Sequence, residues 1–464
     1  MGHRQRILKA LAAARHRAGA RIAYRRHSKR VQPDLTPPTL MSLHVRFRQV
    51  LMVGGVETFG VAVGGIAGLL IVNLLPKDQY AVYTFLMACL SLMAGISDLG
   101  LGQCVLPVVG QRANDSHWVM GVCRQIFRWR WILMALALAI VLPYWLNAST
   151  QHQWIAPAYL AATVMMLGVL PLTLHASFSH MALLVLGQVS ALNRAALAMH
   201  STRFLLVGAV LLAPLGEWQT SALFAATALS LAVDIRLQQR SLNALAIDKG
   251  DLSGEERDRV KREALRIALP LVPSAIFFQV QSVITVLIVS VFGTTDMMAE
   301  VGALGRLAMI LVVLDRVTNM LLFPAIARSP GGSTFVKRLL LVHAAYFGLM
   351  LLIFLTSVLW PQYWMLLLGR QYEAQQPYLW LAIGAYVLNS ASGFAFRTLT
   401  GRGATARQWI TIPLVLVVQV VFVAVAGVNT LPLVLAFNLV TSLTHFVYQY
   451  TLVLAQLPGW RRAA

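Results

Sequence analysis

The chain has 464 residues, 58% of them hydrophobic and 12% charged, with a mean hydropathy of +0.69. A soluble domain carries about 25% charged residues, so too little polar surface is present here to coat one large core, and a soluble globular protein is excluded. The net charge of +21 requires no nucleic acid, because membrane proteins keep Lys and Arg out of their spans and in their cytoplasmic loops.

Residues 1–47 read as a basic cytoplasmic tail. Met1 to Val31 holds ten Lys or Arg and no acid, and Gln32-Pro33-Asp34-Leu35-Thr36-Pro37-Pro38 then breaks any helix. No apolar segment follows at signal-peptide distance, so this is not a cleaved signal. A disordered tail fits, and so does a basic helix held on anionic membrane lipid, where each charge contributes about 1 kcal/mol. Met41 offers an alternative start for the chain.

Twelve apolar stretches follow, each near the roughly 20 residues that a 30 Å hydrocarbon core demands. They run over 49–75, 80–108, 129–146, 155–187, 195–215 and 221–237, then 264–292, 299–327, 339–359, 378–399, 409–427 and 431–457. The expected fold is all-α and polytopic, with a first lobe over 48–237, a linker over 238–263, a second lobe over 264–457 and a short tail over 458–464. Alternate loops divide by charge. One set, from Pro76–Gln79 to Val428–Thr430, holds two basic residues, Lys77 and Arg370. The other set, with both termini, holds nearly all the rest, including Arg112, Arg124, Arg194, Lys249, Arg328, Arg402 and Arg407. The positive-inside rule therefore puts both termini in the cytoplasm. Within the linker, Ser253-x-x-Glu256 is a capping-box pattern that starts a charged helix over Glu255–Arg262. That helix reads equally as a hinge or as a solvated linker.

The chain repeats itself weakly. Leu70-Ile71-Val72-Asn73-Leu74-Leu75-Pro76 resembles Leu287-Ile288-Val289-Ser290-Val291-Phe292-Gly293, 217 positions on. Six plus six spans in the same orientation imply two equivalent bundles with a path between them, a plan common among transporters.

Ionisable groups inside spans are costly and mark function by default. Glu57 sits in the first span, Asp98 in the second, and Arg306, Asp315 and Arg316 in the eighth. At 1.5 Å per residue, Glu57, Asp98, Asp315 and Arg316 share a depth of roughly 12–15 Å. Acid on one bundle and Arg316 on the other fit a gate of ion pairs, or acids that carry a coupling ion. Pairing of Asp315 and Arg316 inside their own bundle is the plainer reading. Ser91, Gly95, Asp98 and Gly102 form one polar stripe, and Ser274, Gln281 and Thr285 another. Such stripes face protein or water rather than lipid. Gly60, Gly64 and Gly68 have the spacing of tight helix packing. Arg306 lies roughly 9 Å from the outer end of its span, where a guanidinium suits phosphate or pyrophosphate. Cys89, Cys104 and Cys123 read as small apolar fillers. No metal spacing and no Gly-rich nucleotide loop is visible, so no cofactor and no ATP hydrolysis are expected.

Leu75-Pro76-x-x-x-Tyr80-Ala81-x-Tyr83 followed by Ser97-Asp98-Leu99-Gly100-Leu101 resembles the start of the Wzx-type polysaccharide transporters. These belong to the multidrug/oligosaccharidyl-lipid/polysaccharide (MOP) exporter superfamily. Ala268-Leu269-Pro270, Gly302-Ala303-Leu304-Gly305-Arg306-Leu307 and Phe323-Pro324-Ala325-Ile326-Ala327-Arg328 continue the resemblance, as do Leu367-Leu368-Gly369-Arg370-Gln371-Tyr372 and Gly401-Arg402-Gly403. It spans roughly residues 49–460 in order. It implies two six-helix lobes around a central cavity, and movement of a polyprenyl-pyrophosphate-linked glycan from the inner to the outer leaflet of a bacterial inner membrane. Polysaccharide biosynthesis enzymes are then the expected partners. Arg306, at the motif's arginine, becomes the first cavity candidate, with Gln281, Ser274 and Thr285 beside it. A multidrug or cation antiporter of the same superfamily is the alternative. An enzyme such as a glycan ligase or polymerase fits less well, because the longest outer loop, Pro361–Pro377, carries only Arg370 and Glu373 as charges.

Overall fold

The computed structural model describes residues 43–245, 251–307, 311–312, 315, 318, 326, 329 and 331–462, with the backbone alone at 43–54, 56 and 57. The basic tail over residues 1–42, and Arg316, lie outside the described residues. The chain divides into two compact units, Met1–Leu51 and Met52–Ala464. The second holds every feature discussed below.

Among the described residues the protein is helical throughout, with short 3-10 turns and no strand. In chain order the helices are α1 (Leu43–Leu74), α2 (Lys77–Asp98), α3 (Leu101–Val109), α4 (Ser116–Gln151), α5 (Pro157–Val185), α6 (Val189–Leu212) and α7 (Gln219–Ala244). There follow α8 (Gly254–Ala268), α9 (Val272–Phe292), α10 (Thr295–Leu307), α11 (Ser333–Leu359), α12 (Pro361–Leu366), α13 (Leu379–Gly401), α14 (Thr411–Ala426) and α15 (Leu431–Arg462). Ten helical stretches among the described residues are long and apolar enough to cross a membrane, and Thr58–Leu74 is a shorter apolar one. The expected eighth span is described only in part. Helices are the natural solution here, since a backbone in lipid must satisfy its polar groups internally.

Local chemistry sets the helix ends. Pro76 precedes the first turn of α2, where its missing N–H loses nothing. Asp115 caps α4 by accepting the Trp118 N–H at 3.1 Å. The capping box at Ser253 and Glu256 forms, and the helix it starts runs on to Ala268, beyond the charged segment expected from sequence. A 3-10 turn over Leu269–Leu271 then joins α8 to α9. One expectation needs correction. The second apolar stretch is not one helix: Leu99 and Gly100 both take positive φ, 40° and 83°, and separate α2 from α3. Gly102 therefore leaves the stripe of Ser91, Gly95 and Asp98, although its N–H donates to Asp98 Oδ1 at 3.2 Å. The long loop Pro361–Pro377 is ordered as α12 and a 3-10 turn over Arg370–Tyr378.

Packing centres on α2, which meets α4 and α5 on one side and α9 and α10 on the other. Its Tyr80, Tyr83, Phe85 and Leu86 are wholly buried in the main core. A second cluster joins α3, α4 and α8 around Trp118, Ile126 and Val260. Cys89, Cys104 and Cys123 are buried and free. Outward faces are apolar: Leu212 and Val425 are each 83% exposed. In water each such side chain forfeits about 1.5–3 kcal/mol of burial, whereas lipid tails are as apolar as leucine.

Candidate functional site

A cavity of about 580 Å³ opens among α2, α9, α10, α13 and α15. Arg306, near the end of α10, is its one lysine or arginine, and no Asp or Glu lines it among the described residues. Arg306 Nε donates to the Tyr80 hydroxyl at 3.4 Å, and its guanidinium carbon lies 6.0 Å from the Tyr83 ring centroid. Among the described residues no carboxylate pairs with it. Gly68 of α1 faces this guanidinium, which would lie 3.4 Å from a Cβ there. Of the expected packing glycines, Gly60 instead meets the His200 ring, and Gly64 faces open space.

The rest of the wall is neutral. Gln281 and Gln419 exchange hydrogen bonds at 2.9 Å, and Thr285 donates to Asn438 Oδ1 at 2.6 Å. Asn389, Tyr386, Ser442 and Thr84 also face the cavity. Gln281, Thr285 and Arg306 thus share one cavity. Ser274 does not join them: it lies at the start of α9 and spends its hydroxyl on the Leu271 carbonyl at 2.8 Å. Tyr386, Asn389 and Asn438 carry no charge, so nothing in the sequence separates them from ordinary packing residues, and Tyr80 stood out only as part of the resemblance motif.

The acids expected to gate the halves are engaged locally. Asp98 Oδ1 lies 3.3 Å from Arg130 Nε of α4, in the same half of the chain. Arg130 is 6% exposed, donates to Ser177 Oγ at 2.7 Å and stacks over Phe127. Asp315 lies 3.5 Å from Arg397 Nη2 of α13 and accepts from Ser390 at 2.8 Å and from Tyr346. Neither arginine stood out in the sequence. Asp98 and Asp315 are also 217 positions apart, the spacing of the repeat. The backbone of Glu57 lies in α1, and its side chain is outside the described set. No group of His, Cys, Asp or Glu among the described residues has the arrangement of a metal site.

Most hydrogen bonds between the halves gather at one end of the bundle, the end bearing the turns after α1, α4, α6, α9 and α11; Gln279, which donates to the Ser91 carbonyl at 2.8 Å, lies away from it. Asn73 donates to the Leu367 carbonyl at 2.6 Å, and Gln371 to the Val72 carbonyl at 2.5 Å. Gln151 donates to the Val291 carbonyl at 3.1 Å, and Tyr144 to the Leu287 carbonyl at 3.1 Å. Lys77 Nζ meets Glu300 Oε1 at 2.8 Å. At the opposite end, the connecting segment supplies Asp251 and Glu256 to Arg124 and Arg112.

No protein-family model and no curated protein matches the chain. Solved structures do. One is an inward-facing multidrug-resistance MATE family transporter of the MOP superfamily, with a TM-score of 0.65 at 16% identity over 86% of this chain and 96% of that one. An outward-facing MATE family transporter matches with a TM-score of 0.54 at 17% identity, over 89% and 95%. A MOP superfamily transporter from Pyrococcus furiosus, described as having a binding pocket of reversed polarity, matches with 0.56 at 17% identity, over 89% and 96%. The chain is an all-α, polytopic membrane protein with the fold of the MATE transporters of the MOP superfamily.

Proposed function

We propose that this protein is a membrane transporter that works by alternating access and moves a phosphate-bearing, lipid-linked glycan across a bacterial inner membrane. The observation that carries this reading is Arg306: a guanidinium with no carboxylate partner among the described residues, on the wall of a cavity whose described lining has no acid. A cavity of this kind favours an anion, because a bidentate guanidinium matches phosphate oxygens. The neutral amides and hydroxyls around it suit sugar hydroxyls. Alternating access is supported by the clustering of contacts between the halves at one end, and by the higher TM-score with the inward-facing relative. The segregation of Lys and Arg supports cytoplasmic termini, and so supports transport from the inner to the outer leaflet. Asp98 and Glu57 are the acids we assign to any ion coupling.

The second reading, a multidrug or cation antiporter, draws on the names of the structural relatives. A cationic cargo wants acids in the cavity, and its described lining has none.

One transport assay separates the two. Proteoliposomes receive either a polyprenyl-pyrophosphate-linked oligosaccharide or a lipophilic dye cation. Arg306→Ala removes a charged hydrogen-bonding group whose net contribution is about 1.5–3 kcal/mol, or roughly 10- to 150-fold in affinity. Arg306→Lys keeps the charge without the fork and falls between. Dye transport that Arg306→Ala leaves intact, with no movement of the glycan lipid, overturns our reading in favour of the second.

A further inference from the structure

Among the described residues, the contacts between the halves at the end where they gather include two ion pairs, both made by Lys77. Lys77, the first residue of α2, places Nζ 2.8 Å from Glu300 Oε1 and 3.7 Å from Asp296 Oδ1, both on α10. Gln375, in the 3-10 turn before α13, donates to the same Glu300 oxygen at 2.8 Å. Glu300 is only 7% exposed, yet the Lys77 side chain keeps 29% of its surface. The other contacts at this end run largely from a side chain to a backbone carbonyl, such as Asn73 to Leu367 and Gln371 to Val72.

We propose that Lys77, Glu300 and Gln375 form the latch that closes the outer end of the cavity and sets how readily it opens. This rests on the alternating-access reading and adds to it residues that the cavity does not contain. Three features carry it. First, the pair joins α2 to α10, the same two helices that Arg306 and Tyr80 join. Glu300 is six residues before Arg306, about 9 Å along a helix, so the latch lies that far from the cavity's cation toward the start of α10. Second, the pair is half-sheltered. A deeply buried ion pair is too costly to part, and a fully exposed one contributes little. A pair whose lysine already meets solvent can be rehydrated on opening and still bias closure. Third, Gln375 holds the Glu300 carboxylate from the turn before α13, in the same half of the chain, so the acid stays in place when α2 parts from α10.

The test reads access rather than cargo. In a variant with Cys89, Cys104 and Cys123 changed to Ala, Asn389→Cys places a thiol on the cavity wall, and a membrane-impermeant maleimide is applied from outside. Glu300→Gln and Lys77→Gln are each expected to raise the labelling rate about tenfold, a population shift of the size one lost ion pair produces. Lys77→Glu with Glu300→Lys and Asp296→Asn restores slow labelling, which loss of packing alone does not predict. Single variants that label like the parent overturn the latch, and so does a swap that stays as open as the singles. A second measurement covers poor folding: Lys77→Cys with Glu300→Cys, bridged by a cleavable bifunctional thiol reagent long enough to replace the two side chains, is expected to abolish outside labelling of Asn389→Cys, and cleavage to restore it. Labelling that persists in the bridged protein also overturns the latch. None of these outcomes depends on the cargo, which the Arg306 variants test separately.

Discussion

Asp98 and Arg130 show how a membrane chain handles charge that it cannot expose. Arg130 is almost wholly buried and has three kinds of partner: the Asp98 carboxylate, the Ser177 hydroxyl and the Phe127 ring. Removing one member of a buried pair leaves the other uncompensated and costs about 3–5 kcal/mol. Asp98 is about one-third exposed, with 34% of its side chain open, so the low end of that range applies. Asp98→Ala is therefore expected to lower the melting temperature in detergent more than the double variant Asp98→Ala with Arg130→Met does. A double variant less stable than the single one would show that the pair is not what stabilises this contact. The sequence displayed Asp98 plainly but hid its partner, since Arg130 lies at the start of an apolar stretch where arginines usually snorkel. Arg397 was hidden in the same way near the end of its stretch. Asp234, buried on α7 and accepting from Gln238 at 2.8 Å, escaped notice altogether. Depth in a span is legible from sequence, whereas the identity of a partner thirty or eighty residues away is not.

At the scale of elements, apolar length and loop charge made most spans legible, and the capping box announced α8. The break between α2 and α3 was not legible, because Leu99-Gly100 interrupts the helix without interrupting the run of apolar residues. The cap of α4 yields a test of local electrostatics. The Trp118 N–H and then the Arg112 guanidinium hold the Asp115 carboxyl below its ordinary range. A lowered folded-state pKa contributes stability that is present above the unfolded value, near 3.9. That stability fades as pH falls through the folded value. Asp115→Ala is expected to cost about 1 kcal/mol at neutral pH, as lost helix caps do. Asp115→Asn keeps a capping oxygen and loses only the charge. Its deficit in melting temperature against the parent should thus be present at pH 7 and shrink as the pH falls below about 4. A deficit that does not change with pH would assign the effect to geometry rather than to charge.

For the whole molecule, the direction of the proposed transport follows from orientation, and orientation rests on where Lys and Arg fall. Only Lys77 and Arg370 lie in the loops assigned outside, and the structure gives both places to ordered elements at the end where contacts between the halves gather. If that end faces outward, the protein is caught with its cavity shut to the outside, the state in which a cytoplasmic cargo is loaded. Helix α14 provides a short ruler for the test, because exposed residues flank it: Ala406 before it and Thr430 after it. In a background free of native cysteine, an impermeant thiol reagent applied to intact cells is expected to label Thr430→Cys. Ala406→Cys should react only once the membrane is opened. The reverse pattern would invert the molecule, put the Lys77–Glu300 contact on the cytoplasmic side and overturn the proposed direction from inner to outer leaflet. Labelling of both sites from outside would mean that α14 does not cross the membrane, and the count of spans in the second half would fall with it. Because each span added or lost reverses every later loop, one pair of cysteines this far along the chain tests the sum of all the spans before it.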